Sequence, residues 1–286
     1  MKTIKIYIPW LLCLLTAFLL EQCTEKVDIK LANNQPRLVV EGMVTNEALV
    51  QTIRLSTTTD YFYTQVAPAV TQAKVTLNNE TSTVTLIENP VNSGIYVTPS
   101  TYMGIPGTKY TLNIILNTAI NGQTNYSASE IMPQMYSPDS IKLLYHSDWG
   151  KKGYWETQLF VQDPPQANYY SFRGYRNDTL ITDTLSKVGI SDDKFYNGRY
   201  VNGMPTILWN QEYKWTQVIV GDRIKLQVGS ITKEYYTFLD QVRLEVEPKN
   251  PLFSGPSANV STNISNSGFG YFAACAMSYV STTAKK

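Results

Sequence analysis

Short runs in which apolar and polar residues alternate, cut at close intervals by turn residues, constrain this chain more than any other feature. Strict alternation places every second side chain on one face, so each run can bury one face and wet the other. Leu38–Val44 opens the series, and Val50-Gln51-Thr52-Ile53-Arg54-Leu55 shows the pattern plainly. Ala73–Leu77 and Thr83–Ile87 flank Asn78-Asn79-Glu80, a hairpin signal. Ile95-Tyr96-Val97 follows Asn92-Ser93-Gly94, and Lys109–Leu116 is entered from Pro106-Gly107. About seven short strands at this spacing predict an antiparallel β-sandwich over residues 36–133.

Met132-Pro133 to Ser137-Pro138 reads as a boundary, because proline stops regular strand pairing. Residues 138–286 differ in flavour and are rich in Tyr and Trp. Strands are expected at Ser140–Tyr145, Tyr154–Val161, Tyr169–Tyr175 and Arg223–Val228, with a closing strand at about Gly270–Tyr279. Between them, Tyr235, Phe238, Leu239 and Val242 fall at helical spacing. Ser230 or Thr232 can cap that helix, and Glu234 suits its first turn. The expected fold is mainly β: two antiparallel sandwich-like domains, the second with one short helix near 232–244.

Residues 1–22 carry a different message. Lys2 and Lys5 precede an apolar run from about Ile6 to Leu20, too short to span a bilayer and of the right length for a secretory signal. Leu20-Glu21-Gln22-Cys23 resembles a bacterial lipobox, although Gln22 stands where a small residue is usual. On that reading Cys23 carries acyl chains such as palmitate, and residues 23–35 tether a domain to a membrane. An ordinary signal peptide is the alternative. Of the three cysteines, Cys13 lies in the signal and Cys23 at the lipobox, which leaves Cys275 alone in the apolar run Phe272–Met277. The fold therefore rests on its core and not on a disulfide, with Cys275 expected as a buried small hydrophobe.

Charge and inventory exclude several classes of function. The chain has 24 Lys plus Arg and 23 Asp plus Glu; without Lys2, Lys5 and Glu21 the balance is 22 to 22. With no basic block, neither nucleic acid nor an anionic lipid surface is an expected partner. The single histidine, His146, and the absence of a Gly-x-Ser-x-Gly elbow argue against a serine triad. One histidine and one mature-region thiol are too few for zinc, so no metal or other cofactor is expected. Loop 191–198, Ser-Asp-Asp-Lys-Phe-Tyr-Asn-Gly, gathers oxygen ligands, but Lys194 and Tyr196 sit where an EF-hand needs acidic or amide residues. A solvated turn is the simpler reading, with calcium left open. Paired carboxylates far apart in the chain remain open as well.

What is left is aromatic. Arg199 and Tyr200 lead through Gly203-Met204-Pro205 to Trp209, Tyr213 and Trp215, among residues that favour exposed loops. Tyr, Trp and Arg dominate binding hot spots, so these five are the candidate contacts to a partner or ligand. Packing in a core is the competing account.

Several local sequences, taken in order, resemble a family of Bacteroidota outer-membrane lipoproteins, domain of unknown function 4249. They are Cys23–Ile29, Leu38-Val39-Val40-Glu41-Gly42, Tyr170-Ser171-Phe172-Arg173, Ser191–Phe195, Ser230–Tyr236, Asn250-Pro251-Leu252-Phe253 and Asn266–Phe272. The resemblance implies an outer-membrane lipoprotein, often encoded beside a TonB-dependent transporter, and transfers no catalytic residue. The first domain also looks like carboxypeptidase-regulatory, transthyretin-like or immunoglobulin-like sandwiches, a likeness of fold only. Asp139-Ser140-Ile141, Asp178-Thr179-Leu180 and Asp183-Thr184-Leu185 resemble an Asp-Ser/Thr-apolar O-glycosylation acceptor at Ser140, Thr179 and Thr184. The expectation is a non-enzymatic accessory or substrate-binding subunit of such a transporter. A surface glycan or peptide hydrolase and a structural or adhesive protein are the alternatives.

Overall fold

The computed structural model describes residues 35–59, 66–247 and 260–285. The signal, Cys23, the tether up to residue 34 and Asn250–Phe253 lie outside them. The described residues from Gln35 onward form one compact unit. Its first strands are β1 (Leu38–Thr45), β2 (Thr52–Thr57), β3 (Lys74–Asn78), β4 (Thr83–Glu88), β5 (Ile95–Val97), β6 (Lys109–Ile120) and β7 (Gln123–Ile131). Then come β8 (Ser140–His146), β9 (Tyr154–Gln162), β10 (Tyr169–Arg176), β11 (Thr179–Leu180), β12 (Gly189–Asp192), β13 (Tyr200–Asn210) and β14 (Arg223–Ile231). Helix α1 (Lys233–Val246) and the long strand β15 (Phe269–Thr283) close the chain.

Among the described residues the fold is mainly β with one α-helix, as the alternation predicts. One sheet runs in the order β11-β10-β14-β15-β1-β2-β5-β4-β3-β6-β7, and a second holds β13-β9-β8. The first seven strands enclose one core, in which Leu38, Val40, Ile53, Leu55, Leu77, Tyr96, Tyr110 and Leu112 are shut from solvent. Alternate positions along each strand supply it, which is the period-two pattern made physical.

β15 explains why its sequence is apolar without alternation: both of its faces are covered. Phe272, Ala274 and Ala276 enter the first core. Tyr271, Ala273, Cys275 and Met277 face α1. The helix contributes Tyr235, Phe238 and Leu239 at the predicted spacing, with Phe238 4.9 Å and Tyr235 5.2 Å from the Tyr271 ring. Thr232 caps α1, its hydroxyl accepting from the Tyr235 N–H at 3.2 Å.

Residues 133–139, where the sequence places its boundary, carry no strand. β15 nevertheless serves both halves. Phe269–Cys275 pairs parallel with β1, and Ala276–Ser230 through Thr283–Arg223 pairs antiparallel with β14. Each change of partner leaves backbone groups to satisfy, and two asparagine side chains do so. Asn263 accepts from the Phe272 N–H (3.0 Å) and donates to its carbonyl (2.8 Å). Asn46, one residue past the end of β1, accepts from the Met277 N–H (2.6 Å) and donates to its carbonyl (3.2 Å). Each amide stands in for one residue of a missing strand.

Candidate functional site

The three-stranded sheet builds the candidate site. Its inner face packs Ile141, Leu159, Ile207 and Trp209 on Phe172, Ile224 and Leu226 of the larger sheet. The Gly and Pro residues around Trp209 predict exposed loop, but the stretch is strand β13, bulged near Gly203 and Thr206. Trp209 is 1% exposed, and its indole N–H donates to the Thr157 hydroxyl at 2.8 Å. Its ring lies so close to Gly174 that a Cβ there would stand 2.9 Å from two ring carbons. Trp209 is therefore core and is not available to a partner.

The other four candidates are exposed, but the structure does not bring them together. Arg199 and Tyr200 stand at the start of β13, where Tyr200 pairs with Gln162. Tyr213 and Trp215 follow its other end, where Trp209 pairs with Trp155. Ten residues of strand separate the ends, roughly 30 Å. Because β13 stops at Asn210, Trp209 and Trp215 do not share one strand face. Tyr213 and Trp215 stack with centroids 6.2 Å apart, and the Lys187 ammonium sits 4.5 Å over the Trp215 ring.

The loop after β13 also meets aromatics of β8 and β9. The Tyr145 and Trp155 rings, 5.0 Å apart, pair across β8 and β9. They line an open groove of about 580 Å³ with Lys152, Gln211, Gln217 and Val218. Its walls are tied down by hydrogen bonds. The Tyr145 hydroxyl donates to the Lys152 carbonyl at 2.9 Å. Gly153, at φ +79°, lets that ring cross the turn, since a Cβ there would meet the hydroxyl at 2.4 Å. The Gln211 amide donates to the Trp209 carbonyl and accepts from the Val218 N–H, and Arg176 donates to the carbonyl of Gln217. Glu212 accepts from the Lys151 N–H at 2.8 Å, joining the two loops.

On the outer face of the same sheet, His146 is no isolated turn residue. It hydrogen-bonds Glu156 at 3.0 Å and stacks on Trp149 at 3.7 Å between centroids. Glu156 is 5% exposed although it lies on the central strand of a solvent-facing surface, paired with Leu144 and Leu208 on either side. Gln158 donates to its second oxygen at 2.8 Å. With both oxygens occupied, Glu156 is held as an internal anchor for the β8–β9 turn. The pairing was invisible in sequence because ten residues and a turn separate the partners.

Loop 191–198 is closed by its own chain. Asp192 pairs with Lys194 at 2.7 Å, and Asp193 accepts from the Asn168 N–H at 2.7 Å. Asp163, beside it, is buried, which pushes its pKa up; donation from Tyr170 and from the Gly198 N–H opposes the shift. Among the described residues no group of three or more His, Cys, Asp or Glu side chains is placed to hold a metal ion. Ser140 begins β8 half-buried, whereas Thr179 and Thr184 are exposed beside turns. Cys275 is buried, which drives its thiol pKa well above the usual value. A second cavity of about 680 Å³ lies between β7 and the start of α1. There Glu130 is raised in pKa by burial and held by the Tyr271 hydroxyl at 2.9 Å and Asn263 at 3.3 Å.

A model of the family described as domain of unknown function (DUF4249) matches residues 24–279. The chain belongs to this family. The match runs from before β1 into β15, so the family spans both halves of the fold and both loops that form the groove. Comparison with curated proteins gave no match.

Proposed function

We propose that this member of the family is a lipoprotein anchored through Cys23 to the outer membrane of a Bacteroidota cell, facing outward, and that it serves a TonB-dependent transporter as a non-enzymatic binding or docking subunit. The signal, the lipobox-like Cys23 and the ordered family resemblance support the anchor and the setting. One structural observation supports the role: the aromatic end lies far from where the chain enters its folded unit. β1 begins beside Phe269, while the far end of β15 at Thr283 pairs with Arg223 and bonds on to the loop before it. Fourteen steps of strand span roughly 45 Å. That loop carries Tyr213, Trp215 and the groove residues Gln211, Gln217, Val218 and Val220, so this surface lies at the end of β15 far from where β1 begins. No pair of free carboxylates accompanies these aromatics among the described groove residues, which favours binding over hydrolysis.

The test is fractionation and co-purification from solubilised membranes. Wild type should incorporate labelled acyl chains and bring down a β-barrel transporter. Cys23→Ala should lose the label and leave the membrane fraction. Retention of Cys23→Ala in the membrane, or a labelled wild type with no barrel attached, would overturn the reading.

A further inference from the structure

We infer that the groove between the β8–β9 turn and loop 211–220 is a saccharide-binding site, an inference that rests on the binding role just proposed and names the class of ligand. The groove's volume, about 580 Å³, suits a small ligand or one or two rings of a larger one. Its chemistry narrows the choice. Tyr145 is 45% exposed and Trp155 half-buried, and both line the groove, so it offers aromatic surface to a ligand. Beside them stand the Gln217 side-chain amide, the Trp155 indole N–H and the Lys152 ammonium. None of these makes a hydrogen bond among the described residues, whereas the groups behind them are all engaged.

A ligand that satisfies such a wall needs a flat apolar face for the rings and a polar rim for the amide and ammonium. A sugar ring has both: axial C–H groups on its face and hydroxyls at its edge. Lys152 is the one formal charge in the lining, so the sugar is neutral or carries a carboxylate and is not cationic. An apolar side chain of a protein partner fits less well, because such anchors gain their affinity in closed, desolvated pockets. This groove is open, and Val220 at its rim is exposed. The hydrogen bonds that fix Tyr145, Gln211 and the Gln217 backbone hold the walls before ligand arrives, which lowers the ordering cost of binding.

The test uses the full mature chain on an array of neutral and uronic-acid-bearing oligosaccharides, followed by calorimetry with the strongest binder. Wild type should retain at least one oligosaccharide. Gln217→Ala should weaken binding about three- to tenfold. Tyr145→Phe, which keeps the ring, should bind better than Tyr145→Ala, and Ile87→Ala, on the exposed side of β4 and away from the groove, should bind like wild type. Thermal melts of each variant separate lost contacts from lost fold. No oligosaccharide retained, or retention unchanged in Gln217→Ala and Tyr145→Ala, overturns the inference. Co-purification of the transporter reads the docking role separately, so each proposal can fail without the other.

Discussion

Whether Trp209 holds the fold together can be decided by placing one methyl group opposite it. Gly174 sits in β10 with its Cα facing the Trp209 ring. A Cβ there would stand 2.9 Å from Cη2 and Cζ2 of the indole and 3.4 Å from the Ile207 side chain. The ring cannot retreat freely, because its N–H is bonded to Thr157 at 2.8 Å in a fully buried site. Overpacking of this kind costs about 1–3 kcal/mol. Against it, alanine is better than glycine in a strand by about 0.5–1 kcal/mol. Gly174→Ala should therefore lose about 0–2.5 kcal/mol, or up to roughly 10 °C in melting temperature for a unit of this size. Trp209→Phe removes the two indole carbons concerned and opens space at the same point. In that background Gly174→Ala should cost nothing or stabilise, giving a favourable coupling of about 1–3 kcal/mol. Urea unfolding of the four proteins measures it, provided the slopes agree. Equal effects of Gly174→Ala in both backgrounds would refute the packing argument, and with it the removal of Trp209 from the partner surface.

Two further predictions follow from the buried polar groups. Asn46→Ala and Asn263→Ala each strand a backbone N–H and a carbonyl of β15, so each should cost about 1–3 kcal/mol and speed amide exchange at Met277 and Phe272 respectively; exchange unchanged at those amides would contradict the strand-substitute role. Burial raises Glu130 above its ordinary value of 4.5, so the folded state holds that proton more tightly than the unfolded chain. The stability it contributes is present in acid and is lost as pH rises above about 4.5 through the folded-state value. Glu130→Gln should accordingly gain on wild type between acid and neutral pH in denaturant titrations, and a pH-independent difference would refute this.

Sequence alone settled what depends on neighbours along the chain. Alternation located the sandwich strands, and the spacing of Tyr235, Phe238 and Leu239 with Thr232 before them located the helix. These signals are local: side-chain direction repeats every two residues in a strand and at about 3.6 in a helix, so burial of one face writes itself into the order of residues. The unbroken apolar run at Cys275 marked a buried strand by its composition and not by its period, and it did not show that the two faces are covered by different cores. Tertiary structure alone decided the rest. An aromatic residue has the same composition whether core or surface, and only the neighbours of Trp209, Gly174 and Thr157, place its ring inside. β13 escaped notice because Gly203 and Pro205 mimic a loop, while its bulges let an edge strand accommodate them. The groove is less legible still. Tyr145 and Trp155 meet Gln211 and Gln217 only because β9 pairs with both β8 and β13, and such long-range pairing leaves no periodic trace in the residues it joins.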